Sequence, residues 1–138
     1  MMKAIRVLIL AMVLMMASGA MAQTVFNSSG SSCGTIRSDG TVYSKGGSSI
    51  GRIYSDGTVN DKSGSKIGRI DRDGSFWDKG GSKIGWITSD GTVYEKSGSS
   101  IGRVYSDGTV NNKSGSKIGS VQNVPREWVA AYFFFFFD

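Results

Sequence analysis

The chain has 138 residues, a formal net charge of +5, a single cysteine and no histidine. This length suits one small domain. Without histidine the chain has no histidine general base, catalytic triad or histidine metal ligand, and one cysteine forms neither an internal disulfide nor a zinc site. We therefore expect a protein that is not an enzyme and has no metal and no cofactor.

The first 22 residues have the pattern of a secretory signal peptide. A basic start with Lys3 and Arg6 precedes an apolar run over residues 7–16, and Ala20-Met21-Ala22 forms a small-residue cleavage site. The apolar run is shorter than the roughly 20 residues that a membrane-spanning helix needs. We expect cleavage after Ala22, export to the periplasm or cell surface, and no transmembrane span in the mature chain.

The mature chain has a mild positive charge. Loss of Lys3 and Arg6 lowers the formal net charge from +5 to +3. Lys and Arg recur once or twice in each repeat among acids, whereas nucleic-acid binding calls for a clustered basic face. We expect no nucleic-acid partner. Residues 23–33 are predicted to be a flexible mature N-terminus, in which Cys33 is solvated or loosely packed.

A 17-residue unit repeats five times without a gap. The consensus is G-[RTW]-[IV]-x-x-D-G-[TS]-[VF]-x-x-K-[SG]-G-S-[SK]-I, and a fragment of a sixth unit follows at Gly119-Ser120-Val121. A fixed short period indicates a repeat architecture. The units occupy residues 34–50, 51–67, 68–84, 85–101 and 102–118, within a β domain over residues 34–122.

Each unit has the pattern of a β-hairpin centred on Asp-Gly. A three-residue loop over residues 55–57 pairs Ile53 with Val59, which puts both apolar side chains on one face. By the same reasoning, a second loop over residues 62–64 pairs Val59 with Ile67. Gly51 and Gly68, like Gly85 and Gly102, then mark bends between repeats. Regular bends predict a closed ring, because an open sheet would leave two exposed edges.

The tail over residues 123–138 is very hydrophobic and ends in FFFFFD. Exposed to water, this run is an aggregation hazard. Three placements are open: an intramolecular plug of the repeat domain, a contact with another protein, and a contact with a membrane. Pro125 favours a short helix at its start, but an apolar strand fits the composition as well.

In the signal peptide, the five G-x-[IV]-x-x-D-G-x-V units and the aromatic end, the chain resembles the five-fold β-flower proteins, small secreted bacterial proteins. The resemblance covers residues 34–138. It implies five hairpins arranged around a pseudo-five-fold axis. Together with the repeat pattern and the apolar tail, we expect an all-β fold of five tandem antiparallel hairpins in a closed pseudo-five-fold arrangement, with the hydrophobic tail packed against it. It implies no catalytic residues, because the family has no settled function.

Five variable positions are the candidate ligand-binding residues. One follows the second core residue of each unit, and alternation along the strand points it away from the core. Aromatic and amide side chains suit sugars or peptides, whereas simple cross-strand pairing on the outer face is the alternative. We expect a structural or interaction module whose partner is a glycan or an envelope protein, or else a carbohydrate-binding module. The five candidates are Tyr43, Asn60, Trp77, Tyr94 and Asn111.

Overall fold

The computed structural model describes residues 21–137, in which twelve antiparallel strands form a closed barrel. Each strand pairs with its neighbours along the chain, and the first strand pairs with the last. The strands are β1 (Ala22–Asn27), β2 (Ser32–Arg37), β3 (Thr41–Ser44), β4 (Ser49–Ile53), β5 (Thr58–Asp61), β6 (Lys66–Ile70), β7 (Ser75–Asp78), β8 (Lys83–Ile87), β9 (Thr92–Glu95), β10 (Ser100–Val104), β11 (Thr109–Asn112) and β12 (Lys117–Ser120).

The predicted closed ring of antiparallel hairpins is confirmed, but the barrel contains six hairpin units and not five. Five units are the tandem repeats, while the sixth is built from β12 and β1, which pair at Phe26 with Ser120 and at Asn27 with Gly119. Residues 23–33 are thus not a flexible N-terminus, because they contribute β1, a turn and the start of β2. The predicted signal peptide lies outside the described residues except for Met21 and Ala22.

The Asp-Gly turns have the predicted register. Ile53 pairs with Val59, the Tyr54 N–H donates to the Thr58 carbonyl, and the Gly57 N–H donates to the Tyr54 carbonyl. Gly57 has a φ of 95°, a conformation that favours glycine. Both core residues, Ile53 and Val59, are fully buried. The three-residue loop is confirmed.

The second turn has the predicted loop over residues 62–64, since the Asp61 N–H donates to the Ser65 carbonyl and the Gly64 N–H donates to the Asp61 carbonyl. The pairing predicted beyond this turn is wrong. Val59 pairs with Gly68 and not with Ile67, because the register shifts after Val59 and Ile67 lies in a β-bulge. Ile67 is only partly buried. The bulge at Ile67 comes one residue before the bend predicted at Gly68. Gly68 therefore has another role, which is described below with the C-terminal segment.

Successive turns lie at opposite ends of the barrel, because the strands run alternately up and down. We call one end the Asp-Gly end, since it carries the turns at residues 38–40, 55–57, 72–74, 89–91 and 106–108. The other we call the lysine end. It carries the turns that follow β1, β3, β5, β7, β9 and β11, five of which contain lysine.

The C-terminal segment is helical, which decides between the helix and strand alternatives. Helix α1 (Arg126–Ala130) starts after Pro125, whose carbonyl accepts hydrogen bonds from the N–H groups of Trp128 and Val129. A π-helix over Ala131–Phe136 continues it. No helix within residues 21–137 is both long enough and apolar enough to cross a membrane.

Six consecutive aromatic residues of this segment, from Tyr132 to Phe137, contact the first glycine of every unit, one after another around the barrel. Neighbouring units of a six-unit barrel are separated by about 60° around its axis, whereas successive residues of an α-helix are rotated by about 100°. A π-helix has more residues per turn and so a smaller rotation per residue, which brings successive side chains closer to successive units. A Cβ at any of these glycines would collide with an aromatic side chain. Tyr132 lies against Gly34, Phe133 against Gly119, Phe134 against Gly102, Phe135 against Gly85, Phe136 against Gly68 and Phe137 against Gly51.

The core consists of the inward side chains of the strands together with residues of the C-terminal segment. A barrel of about eight strands is filled by its own side chains, so twelve strands leave room for a further segment. Val129, Ala130 and Ala131 have no solvent-exposed surface, and Tyr132 is buried as well. The Phe135 ring stacks on Phe76 with 4.4 Å between the ring centroids.

Candidate functional site

The five predicted ligand-binding residues occupy one equivalent position in five different strands. They lie on β3, β5, β7, β9 and β11, between a buried core residue and the turn of the lysine end, and all are partly buried. Because these strands are distributed around the barrel, the five side chains point in different directions. The structure therefore does not bring Tyr43, Asn60, Trp77, Tyr94 and Asn111 together at one site.

Two of them belong to a cluster of aromatic side chains on neighbouring strands, which we call the tryptophan face: Trp77, Trp86 and Tyr94. Trp86 pairs with Tyr94 across β8 and β9, and the rings stack with centroids 5.2 Å apart. The Trp77 Nε1 donates to Asp71 Oδ2 at 2.8 Å. The Lys83 Nζ lies 4.9 Å from the centroid of the Trp86 ring.

An ion pair at the end of β6, between Arg69 and Asp71, fixes Trp77 on the neighbouring strand β7. The Arg69 Nε donates to Asp71 Oδ1 at 2.7 Å, and the Arg69 guanidinium lies 5.4 Å from the centroid of the Trp77 ring. Arg69 lowers the pKa of the Asp71 carboxyl, and the hydrogen bond from Trp77 lowers it further. Asp71 therefore carries a negative charge over a wide pH range, with both of its oxygens accepting hydrogen bonds.

Other outward aromatic residues are likewise covered by arginine. Arg52 lies 4.7 Å from the centroid of the Tyr54 ring, and Arg103 lies at the same distance from Tyr105. Asn60 pairs with Arg52, yet its Oδ1 is buried and has no hydrogen-bond partner among the described residues. These outward side chains are therefore engaged in contacts along a strand, as for Tyr54 and Tyr105, or across strands, as for Trp77, of the kind that stabilise sheets.

Phe26 occupies the position in the sixth unit that is equivalent to the five predicted ligand-binding residues, and it is not among the predicted residues. It lies 17 residues before Tyr43 and pairs with Ser120 across the closure of the barrel, and 38 % of its surface is exposed. Thr24-Val25 match the Thr-Val of the repeats, and Gly30 matches their turn glycine. This partial match, with the spacing of 17, is the signal that identifies the position.

The acids at the Asp-Gly turns are structural. Asp56 Oδ1 accepts the Thr58 N–H at 2.9 Å, and this bond lowers the pKa of the Asp56 carboxyl. Asp90 accepts the Thr88 hydroxyl and the Thr92 N–H, which together lower its pKa to about 2. Within residues 21–137, no three acidic or cysteine side chains converge on a point where they could hold a metal ion.

Three shallow cavities surround α1 at the Asp-Gly end. The largest, of about 290 Å³, is mostly apolar, and its lining includes Met21, Ile36 and Trp128. A second, polar cavity lies between Arg72 and Arg126. The Arg126 side chain also holds α1 to the barrel, because its Nη2 donates to the Ser89 carbonyl at 2.7 Å. These cavities therefore border the point where the C-terminal segment enters the barrel.

Cys33 is not the loosely packed thiol that the sequence analysis expected. It takes the position of the bulge isoleucine in the other units, is partly buried, and packs against the core. It also lies beside Tyr132. Burial, reinforced by the neighbouring thiol, raises the pKa of the Tyr132 hydroxyl to about 12.

Comparison with protein families decides the classification. The profile of the family described as "5-fold beta-flower protein" matches residues 22–137. The chain belongs to this family. The match begins at the first residue of β1 and ends with the last phenylalanine, so it covers the sixth unit and the C-terminal segment as well as the five repeats. Neither the comparison with curated proteins nor the comparison with solved structures gave a match.

Proposed function

We propose that this β-flower protein is a secreted, non-catalytic interaction module of the periplasm or cell surface. One observation carries the proposal: the interior of the barrel, where barrel proteins commonly hold small ligands, is occupied by the chain's own residues 129–137. Binding is therefore left to the outer wall and the two ends. The sequence pattern of residues 1–22 supports export.

We further infer that the hydrophobic C-terminal tail is the plug that completes the core. Its support is the series of contacts between residues 132–137 and six glycines, together with the complete burial of Val129 and Ala130. In this arrangement the five phenylalanines serve the fold, and their partly exposed edges contribute to the surface of the lysine end.

Export and envelope association test the proposed function. The full chain, produced in a bacterial host, should lose residues 1–22, so that the N-terminal sequence begins at Gln23. The product should leave the cytoplasm and be found in the periplasm or at the cell surface. An uncleaved chain that stays in the cytoplasm would contradict the proposal.

A second candidate function is carbohydrate binding at the tryptophan face. The observation that favours it is the grouping of Trp77, Trp86 and Tyr94 on three adjacent strands, since aromatic faces with neighbouring polar groups suit sugar rings. A glycan array probed with mature protein tests it. Binding should be lost in Trp86→Ala and kept in Tyr105→Ala, which removes an aromatic ring elsewhere on the wall. A blank array with folded protein, or equal loss in both variants, would exclude this site.

A further inference from the structure

Charge is segregated along the axis of the barrel, so the even distribution expected from the sequence is wrong. All eight lysines within residues 21–137 lie at the lysine end, and all are exposed. Three acids of the described residues lie at the same end, Asp61, Asp78 and Glu95, so that residues 21–137 give this end a formal excess of five positive charges. The lysines are Lys45, Lys62, Lys66, Lys79, Lys83, Lys96, Lys113 and Lys117.

The opposite end has no such excess. Six arginines and seven acids of the described residues lie at or near the Asp-Gly end, which leaves one net negative charge. The arginines are engaged there: Arg52 and Arg103 donate to the carbonyls of Asp39 and Asp90 in the Asp-Gly turns, and Arg126 donates to Ser89. The molecule is therefore electrically asymmetric, with one basic end.

The centre of the lysine end is apolar. The rings of residues 133–137 contact the first glycine of five units. Several of these glycines pair with the last strand residue before a lysine turn, as Gly51 does with Asp61 and Gly68 with Asp78. The rings thus lie at the mouth of the barrel, and all five are partly exposed. The rings of residues 133–137 and the partly buried residues of the bulges together form a surface that we call the apolar disc. The bulge residues are Cys33, Ile50, Ile67, Ile84, Ile101 and Ile118.

We propose that the lysine end docks on the surface of a lipid bilayer that contains anionic phospholipid. Lysines around the rim meet the headgroups, and the apolar disc meets the boundary between headgroups and acyl chains, which is the arrangement of interfacial membrane-binding surfaces. The turns beside the lysines consist of glycine and serine, so no bulky side chain of these turns holds the disc away from the bilayer. This inference rests on the proposed function and names its partner.

Charge and shape favour the bilayer over two other occupants. A second copy of the chain would bring two ends with five excess positive charges face to face, and like charges in contact oppose association. A nucleic acid would satisfy the lysines, but it offers no apolar surface to the disc. A bilayer with anionic headgroups satisfies both.

Flotation with lipid vesicles tests the inference. Mature protein from Gln23 to Asp138 is mixed with vesicles of phosphatidylcholine, with or without phosphatidylglycerol. We expect it to float with the anionic vesicles only, and to be released in part by high salt, because salt screens the lysines. The triple variant Lys62→Glu, Lys79→Glu, Lys96→Glu should bind at least about tenfold more weakly, since each lysine near an anionic surface contributes measurably.

A matched variant controls for net charge. Arg52→Glu, Arg72→Glu, Arg103→Glu makes the same change in charge at exposed positions of the Asp-Gly end, and we expect it to bind as the unmodified protein does. Thermal unfolding confirms that both variants are folded. Equal loss of binding in the two variants would overturn the inference, as would an absence of flotation by the unmodified protein.

A soluble polyanion separates lipid binding from general attraction between charges. A short DNA duplex without apolar surface should compete poorly with the vesicles. Efficient competition by the duplex would overturn the inference in favour of a nucleic-acid partner. Absence of vesicle binding by an exported, envelope-associated protein would leave the proposed function standing, whereas an uncleaved cytoplasmic chain would refute the proposed function whatever the vesicles show.

Discussion

The ring of Phe135 lies against Gly85, at the point where a Cβ on residue 85 would come within 2.6 Å of the ring. The same relation recurs around the barrel, with each residue from Tyr132 to Phe137 facing the first glycine of a different unit. The glycine in the repeat and the aromatic run in the tail are therefore two halves of one packing arrangement.

We predict that Gly85→Ala destabilises the barrel. The new methyl group would collide with the Phe135 ring and with the Tyr94 carbonyl, and such overpacking costs about 1–3 kcal/mol of unfolding free energy. Gly46→Ala is the matched control, because nothing lies within 4 Å of a Cβ at that position. Urea unfolding compares the two variants. Equal stability of Gly85→Ala and Gly46→Ala would show that the close approach is not present.

We predict that removal of one ring from the C-terminal segment costs more than removal of a ring from the wall. Phe135→Ala loses the stacking on Phe76 and should lower the unfolding free energy by roughly 2–3 kcal/mol, below the full range for buried phenylalanine because the ring is partly exposed. Phe26→Ala, at an exposed site, should cost much less. A reversed order of the two losses, measured by denaturant unfolding, would contradict this packing.

The sequence predicts the Asp-Gly hairpins well, because a turn glycine and alternating apolar residues specify the register locally. It does not predict the bulge at Ile67, since an apolar residue there fits the paired register as well as the bulged one. Only the fragment Gly119-Ser120-Val121 of the sixth unit is recognised from the sequence, because the halves of this unit lie at opposite ends of the chain.

The placement of the tail could not be deduced from its own sequence. Five consecutive phenylalanines have no periodicity, so neither helix nor strand is favoured. Their spacing acquires meaning only against the barrel, where successive residues meet successive units. In the same way, the lysines look evenly spread along the chain and become a cluster only when alternate turns are brought to one end of the barrel.

We predict a loss of stability in acid that depends on Asp90. The pKa of its carboxyl is about 2 in the folded protein, below its usual value near 4 in an unfolded chain. A lowered folded-state pKa contributes stability that is complete above about pH 4 and is lost as the pH falls towards 2. Asp90→Asn keeps an acceptor oxygen but does not titrate, so its stability should fall less steeply over this range. Identical slopes in urea titrations at several pH values would refute the prediction.

We predict a second loss of stability in alkali that depends on Tyr132. Burial raises the pKa of its hydroxyl to about 12, above the usual value near 10. A raised folded-state pKa means that the contribution is complete below about pH 10 and is lost as the pH rises through 12. Tyr132→Phe should flatten the alkaline limb of the stability profile. Tyr94→Phe, on the outer wall, controls for the loss of a phenol, and the same flattening in both variants would contradict the assignment.

Removal of residues 128–138 tests most directly the claim that the chain's own aromatic segment forms the core of the barrel. The truncated protein is compared with mature protein by circular dichroism during heating and by amide hydrogen exchange of the strands. We predict that truncation abolishes the cooperative thermal transition and the protection of the core strands, because the twelve-stranded wall then encloses an unfilled interior. A truncated chain that keeps the same melting temperature and the same protected amides would show that the barrel does not depend on its tail.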